Sequence, residues 1–182
     1  MDELMFTGAC GTGSPDPAAR DGFFRVAAAT PKIRVADVQG NAEAVLACVR
    51  AAAEGGVGAL ALPELCLTGY TCADLFLDRA LLREAETALV WLLEETCALP
   101  IIFTVGLPVA HAAALYNCAA VCCAGKLLGL TAKQHIPNYG EFYERRWFTP
   151  APAEPKIVPL FAGQRDVPLG VRIVYRCEDA GA

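Results

Sequence analysis

The sequence predicts an α/β protein built around a sheet that is covered on both faces. Apolar, strand-like runs alternate with segments of helical periodicity along much of the chain, the order that layered α/β architectures produce. The apolar fraction of 55% exceeds the roughly 45–50% of an ordinary domain, and the charged fraction of 19% falls below the usual ~25%. Such an excess suits strands buried on both sides, and it also suits a surface reserved for a partner chain. A chain of 182 residues is long enough for one domain with its own core.

Residues 1–22 are rich in Gly, Pro, Asp and Ala without periodicity and are expected to form a disordered leader. Phe24–Thr30 (FRVAAAT) reads as a first strand. In Asn41–Glu54, Ala44, Leu46, Val49 and Ala53 recur at helical spacing, and Gly55-Gly56 supplies a stop. Val57–Leu62 is a short buried strand. From about Ala73 to Cys97 the recurrence of Leu81, Leu82, Ala85, Leu89 and Leu92 predicts one helix. Ile101–Leu107, Leu115–Cys123 and Lys126–Lys133 read as strands, the last two joined by an Ala124-Gly125 hairpin turn. The polar and aromatic stretch beyond Asn138, to about Pro159, reads as an ordered loop, and Val171–Cys177 as a final strand.

A net charge of −5 without a basic cluster argues against a nucleic-acid partner. No apolar stretch reaches the ~20 residues that span a bilayer, and the N-terminus has neither the basic start nor the apolar centre of a secretory signal. The nine cysteines are odd in number and form no C-x-x-C pair. Cys48, Cys97, Cys118, Cys122 and Cys123 lie inside apolar runs, where a reduced cysteine behaves as a small hydrophobe. With only His111 and His135 to assist, no metal site is expected. The reading is a reduced, cytoplasmic protein.

Two stretches carry chemistry. In LALPELCLTGYTCADLF (60–76) an apolar strand delivers Pro63 and then Glu64. A carboxylate at the edge of a buried run is a candidate general base, because burial disfavours its charged form; the alternative is a solvated charge where the strand leaves the core. In LGLTAKQHIPNYGEFYERRWF (128–148) Lys133 ends a strand in the same way. A cation there can stabilise an oxyanion, or it can be a snorkelling surface lysine. Tyr139, Phe142, Tyr143, Trp147 and Phe148, interleaved with Glu141, Glu144, Arg145 and Arg146, suit a pocket wall, an interface or a packed loop.

RVAAATPKIRVAD, LPELCLTGYTCADLFL, GLPV followed by LYNCAAV, and AKQHIPNYGEFYERRWF together resemble the nitrilase, or carbon–nitrogen hydrolase, superfamily. Within it they are most similar to the N-terminal glutaminase domain of glutamine-dependent NAD+ synthetases. The resemblance implies a four-layer α-β-β-α sandwich, incomplete at its C-terminus, over residues 23–182, with the synthetase domain absent. It implies that a cysteine thiolate attacks the side-chain amide of L-glutamine, that Glu64 is the general base, and that Lys133 steadies the oxyanion. Tyr70, Tyr139 and Glu144 match positions expected to shape the glutamine pocket. No cofactor is implied for this domain; ATP, Mg and deamido-NAD+ belong to the missing synthetase domain, which would consume the ammonia. A homo-oligomer is implied at full length.

The resemblance also bears on the nucleophile. VPLGVRIVYRC (167–177) is similar to the family segment VPFG-x-x-x-LF-x-C, the strand before the nucleophile strand, which places the nucleophile beyond Ala182. Cys177-Glu178-Asp179 matches the C-E-D of the family's nucleophile motif, so Cys177 stands as the alternative. Two further readings are a stand-alone amidase of the same superfamily and a non-catalytic fragment without a nucleophile. A domain cut before its last strands would expose an unpaired edge and apolar faces, so marginal solubility is expected.

Overall fold

The computed structural model describes residues 4–7 and 23–176. Among these residues nine strands and two α-helices run in the order β1 (Leu4–Thr7), β2 (Val26–Ala28), α1 (Val38–Glu54), β3 (Ala59–Ala61), α2 (Arg79–Glu95), β4 (Ile102–His111), β5 (Ala114–Cys123), β6 (Lys126–Ala132), β7 (Lys156–Phe161), β8 (Gln164–Gly170) and β9 (Ile173–Arg176). Seven strands form one mixed sheet in the order β2-β3-β4-β5-β6-β8-β7, and β1 pairs with β9 in parallel. Residues 4–7 thus form a strand within the stretch expected to be a leader, the rest of which lies outside the described residues.

The sheet has one helix-covered face. Phe103, Val105, Leu107 and Val109 on β4 pair in register with Cys122, Ala120, Cys118 and Tyr116 on β5. All eight are buried and share one core with Val45 and Val49 of α1 and Leu89 and Leu92 of α2. The helices and this sheet supply two layers of the mixed α/β architecture. On the opposite face, Gly106, Ala119 and Thr131 line up across β4, β5 and β6, and the Tyr175 hydroxyl of β9 lies 3.3 Å from Thr131 Oγ1.

Three departures from the expected elements have local causes. The single helix expected over 73–97 is a 3-10 turn, Ala73–Leu77, followed by α2, because Asp78 takes extended backbone angles and caps α2 by accepting from Ala80 N at 2.8 Å. α1 begins at Val38, three residues earlier than the apolar periodicity suggests, because Asp37 caps it through Gly40 N. The loop expected to about Pro159 overruns a β7–β8 hairpin. Its turn, Ala162-Gly163, has both φ positive, as does Ala124-Gly125 between β5 and β6, the twist that two-residue hairpins favour. Pro159 hides the first strand from a pattern reading, and the structure tolerates it because β7 is an edge strand.

Most described cysteines fit the small-hydrophobe reading: Cys66, Cys72, Cys118 and Cys122 are buried free thiols. Cys97, which is exposed, and Cys123, which is disulfide-bonded, depart from it. The final strand ends at Arg176, so Cys177 lies outside the described residues.

Candidate active site

The chain leaves β3 at Leu62-Pro63 and crosses β4 at Gly106. A Cβ at position 106 would collide with the backbone nitrogen of Leu65 and sit 2.5 Å from Pro63 O and 2.8 Å from the Glu64 carbonyl carbon. Only glycine lets the crossing segment lie this close to the strand. Leu67 N donates to Gly106 O at 3.1 Å, and Gly106 N lies 3.4 Å from Cys66 Sγ. Leu65 is buried with φ 52°, a left-handed conformation that a bulky residue keeps only where its surroundings enforce it. From the helix side, buried Asn41 donates from Nδ2 to Leu67 O (3.0 Å) and Arg34 O (2.7 Å) and accepts from Arg34 N (2.8 Å). The segment that carries Glu64 is therefore fastened on both sides.

Lys133 follows the last residue of β6 and stays in the ladder: its backbone N–H donates to Asn117 O at 2.8 Å, and its carbonyl accepts from Ala151 N at 2.9 Å. Its Nζ donates to Glu64 Oε1 at 2.8 Å and to both oxygens of Glu144 at 3.0 Å. Three carboxylate oxygens thus match the three N–H donors of an ammonium. Asn117 Nδ2 donates to the same Glu64 oxygen. Tyr70 OH donates to Glu144 Oε1 at 2.5 Å. Burial works against the Lys133 ammonium, but the hydrogen bonds and charges of Glu64 and Glu144 outweigh it and raise its pKa. The Tyr70 phenol is raised by burial and by its hydrogen bond to Glu144.

The two carboxylates differ in access. The Glu64 side chain is 39% exposed, that of Lys133 26%, and that of Glu144 4%. Glu144 holds the cation from behind, and Glu64 is the carboxylate that an incoming molecule can reach. A cavity of about 290 Å³ opens there, lined by Leu62, Pro63, Glu64, Gly106, Asn117 and Lys133 among others. It accommodates a small polar molecule and lies at the lower end of ligand-pocket volumes.

Sequence reasoning singled out Glu64, Lys133, Tyr70, Glu144 and Tyr139, and the structure joins the first four in one network. Tyr139 stands outside it, 73% exposed, with its ring edge-on to Phe142. Asn117 was missed; its only signal is an amide within the apolar run LYNCAAV. Neither Cys66 nor Cys118, which neighbour Glu64 and Asn117 in sequence, has the environment of a reactive thiol: burial pushes Cys66 up to about 11 and Cys118 higher still. Among the described residues no group of three His, Cys, Asp or Glu could hold a metal ion, and no helix is long and apolar enough to cross a membrane.

Residues 25–178 match the family model for carbon–nitrogen hydrolases. The chain is 36% identical over 162 residues to a glutamine-dependent NAD(+) synthetase of Mycobacterium tuberculosis, covering 89% of this chain and 24% of the relative. It is 35% identical over 158 residues to the enzyme so named in Xylella fastidiosa, covering 86% of this chain and 28% of the relative. The chain thus spans about a quarter of the length of these relatives. Among solved structures, a glutamine-dependent NAD(+) synthetase from Cytophaga hutchinsonii superposes with a TM-score of 0.75 at 31% identity, over 81% of this chain and 25% of the other. An amidase from Nesterenkonia sp. shares the fold, with a TM-score of 0.59 at 21% identity over 78% of this chain and 53% of the other.

Proposed function

The chain belongs to the carbon–nitrogen hydrolase family, and we propose that its Glu64–Lys133 centre serves the hydrolysis of the side-chain amide of L-glutamine. The observation that supports this most directly is one ammonium held between an accessible and a buried carboxylate at the mouth of a small cavity. The names of the relatives give the substrate, and in the whole protein the ammonia would pass to an ATP-dependent amidation of deamido-NAD+. That step belongs to a synthetase portion outside this chain.

In the proposed reaction Glu64 takes the proton of a cysteine thiol, and the thiolate adds to the amide carbon. The C=O π electrons move onto oxygen, where the Lys133 ammonium meets the developing charge. The C–N bond then breaks as Glu64 returns the proton to nitrogen, and ammonia leaves a thioester. Water attacks the thioester and gives a proton to Glu64, the C–S bond breaks to release glutamate, and Glu64 passes that proton to the departing thiolate, restoring the thiol. Asn117 holds the Glu64 carboxylate in line, and Glu144 with Tyr70 fixes Lys133 and borders the pocket. The thiol is a cysteine outside the described residues, with Cys177 one assignment and a cysteine beyond Ala182 the other. The proposed substrate is cytoplasmic glutamine, and the proposed mechanism assigns no step to a cofactor or metal.

The test is ammonia release from L-glutamine, with Glu64→Gln, Lys133→Met and Cys177→Ser alongside. Release that falls by about 100-fold or more in Glu64→Gln supports the general-base role. Loss in Cys177→Ser assigns the nucleophile to Cys177. A chain that neither releases ammonia nor binds glutamine by calorimetry overturns the proposal.

A further inference from the structure

The ADLF and ERRWF stretches contain three side chains that the proposed chemistry leaves unused: Asp74, Arg146 and Trp147. They meet at one point. Asp74 Oδ1 accepts from Arg146 Nε at 2.6 Å, Oδ2 accepts from Arg146 Nη2 at 2.8 Å, and Oδ1 accepts again from the Trp147 indole N–H at 2.9 Å. We infer that Asp74 is a positioning residue for the Glu144–Tyr70 side of the site, tying the single turn that bears Glu144 to the segment that bears Tyr70. This rests on the reading of the site as a glutamine amidase.

The path from Asp74 to the site is short. Arg146 and Trp147 lie two and three residues after Glu144, and Glu144 O accepts from Trp147 N at 3.0 Å and Phe148 N at 2.9 Å. Fixing the Trp147 indole therefore fixes the one-turn helix whose first side chain reaches Lys133 and Tyr70. On the other side, Asp74 is the second residue of the Ala73–Leu77 turn, four residues after Tyr70. Ala73 has φ 51°, a kink that presents Asp74 to the facing turn. Beneath the pair, Phe76 is buried with its ring 5.6 Å from Trp147 and 4.9 Å from Phe148. Tyr143 closes on Trp147 at 5.0 Å.

An isolated exposed ion pair contributes little. This one differs in geometry: a bidentate guanidinium fork defines an orientation as well as a distance, and the indole adds a third donor from the adjacent residue. Asp74 touches none of the atoms proposed to react. Its effect runs through Glu144, whose carboxylate must meet Lys133 and Tyr70 together.

The experiment compares Asp74→Asn, Glu144→Gln and the double variant in the intact chain. Two quantities are read: L-glutamine dissociation constants by calorimetry and backbone amide exchange by NMR. If Asp74 acts through Glu144, Asp74→Asn weakens glutamine binding about fivefold alone and less than about twofold in the Glu144→Gln background. It also speeds exchange of the Trp147 and Phe148 amides by about tenfold while leaving α2 unchanged. Arg146→Lys, which keeps the charge without the fork, gives a smaller change of the same kind. Equal weakening in both backgrounds, or no weakening, overturns the inference, as does unchanged protection of Trp147 and Phe148. Should the parent chain bind no glutamine, the functional proposal fails by itself, and amide exchange alone decides the role of Asp74.

Discussion

Glu64 and Lys133 leave the ends of β3 and β6, and backbone holds them: the crossing segment rests on Gly106, and Lys133 stays bonded to Asn117 in the ladder. Glu144 and Tyr70 sit on segments with no strand pairing, where side chains add to turn-type backbone bonds: the Asp74 carboxylate, the Trp147 indole and the Phe76 ring. Lys133 Nζ is the bridge between the two halves. Positions on rigid elements are set more tightly than positions on loops. The proposed chemistry follows that division, with base and oxyanion cation on the strand half and pocket-bordering groups on the loop half.

The strongest way to break the comparison is to attack the strand half at its support. Gly106→Ala puts a Cβ against the backbone of Pro63, Glu64 and Leu65, none of which can rotate away. The expected cost is about 3 kcal/mol, the upper range for overpacking, seen as a fall in Tm of roughly 6–12 °C for a domain this size. Ammonia release should fall with it, because Glu64 moves relative to Lys133. A calorimetric melt within about 2 °C of the parent would show that the crossing segment is held by something other than its fit to glycine.

Asn41 tests the junction between the halves, since Leu67 lies between Glu64 and Tyr70. Asn41→Ala removes the partner of Arg34 N–H and Leu67 O and leaves Arg34 O with only the long bond from Asp37 N at 3.4 Å. About 2 kcal/mol is expected for unsatisfied groups of this kind. Amide exchange should rise at Thr68 and Gly69, which donate to Leu65 O, and stay unchanged at Trp147. A rise at Trp147 of similar size would mean that the two halves are one cooperative unit.

The same division governs what the sequence reveals. Strands β4 to β6 and both helices are legible because apolar periodicity is a local record of burial, and Ala124-Gly125 announces its hairpin. Glu64 and Lys133 are legible because a charge at the end of a buried run stands out, and the family resemblance then picks them from other strand-end charges. Gly106 looks like any strand glycine, and Asn117 like a lone polar interruption; the value of each lies in a residue more than 40 positions away in sequence. The Asp78 break and the β7–β8 hairpin were hidden for a different reason. Helical spacing continues across Asp78, and Pro159 removes the alternation that would mark an edge strand.

The smallest expected effect sharpens the comparison by pH. Arg146 first, and then the Trp147 N–H, hold the Asp74 carboxyl below its ordinary value of 3.8. Its contribution is therefore complete above that value and is lost as pH falls through the depressed folded-state pKa. Lys133 is shifted the other way, raised above 10.5 by Glu64 and Glu144 against the cost of burial. Its contribution is complete below 10.5 and is lost as pH rises through the raised value. The Tm difference between the parent and Asp74→Asn should accordingly be flat from about pH 5 to pH 9 and shrink in acid without shrinking in alkali, while that between the parent and Lys133→Met shrinks as pH rises into alkali. The Asp74–Arg146 pair is exposed, so the Asp74→Asn difference is small and declines further in high salt. If the Asp74→Asn difference shrank in alkali instead, the carboxylate at 74 would be secondary to the bridge at Lys133, and the loop half would owe its position to the strand half.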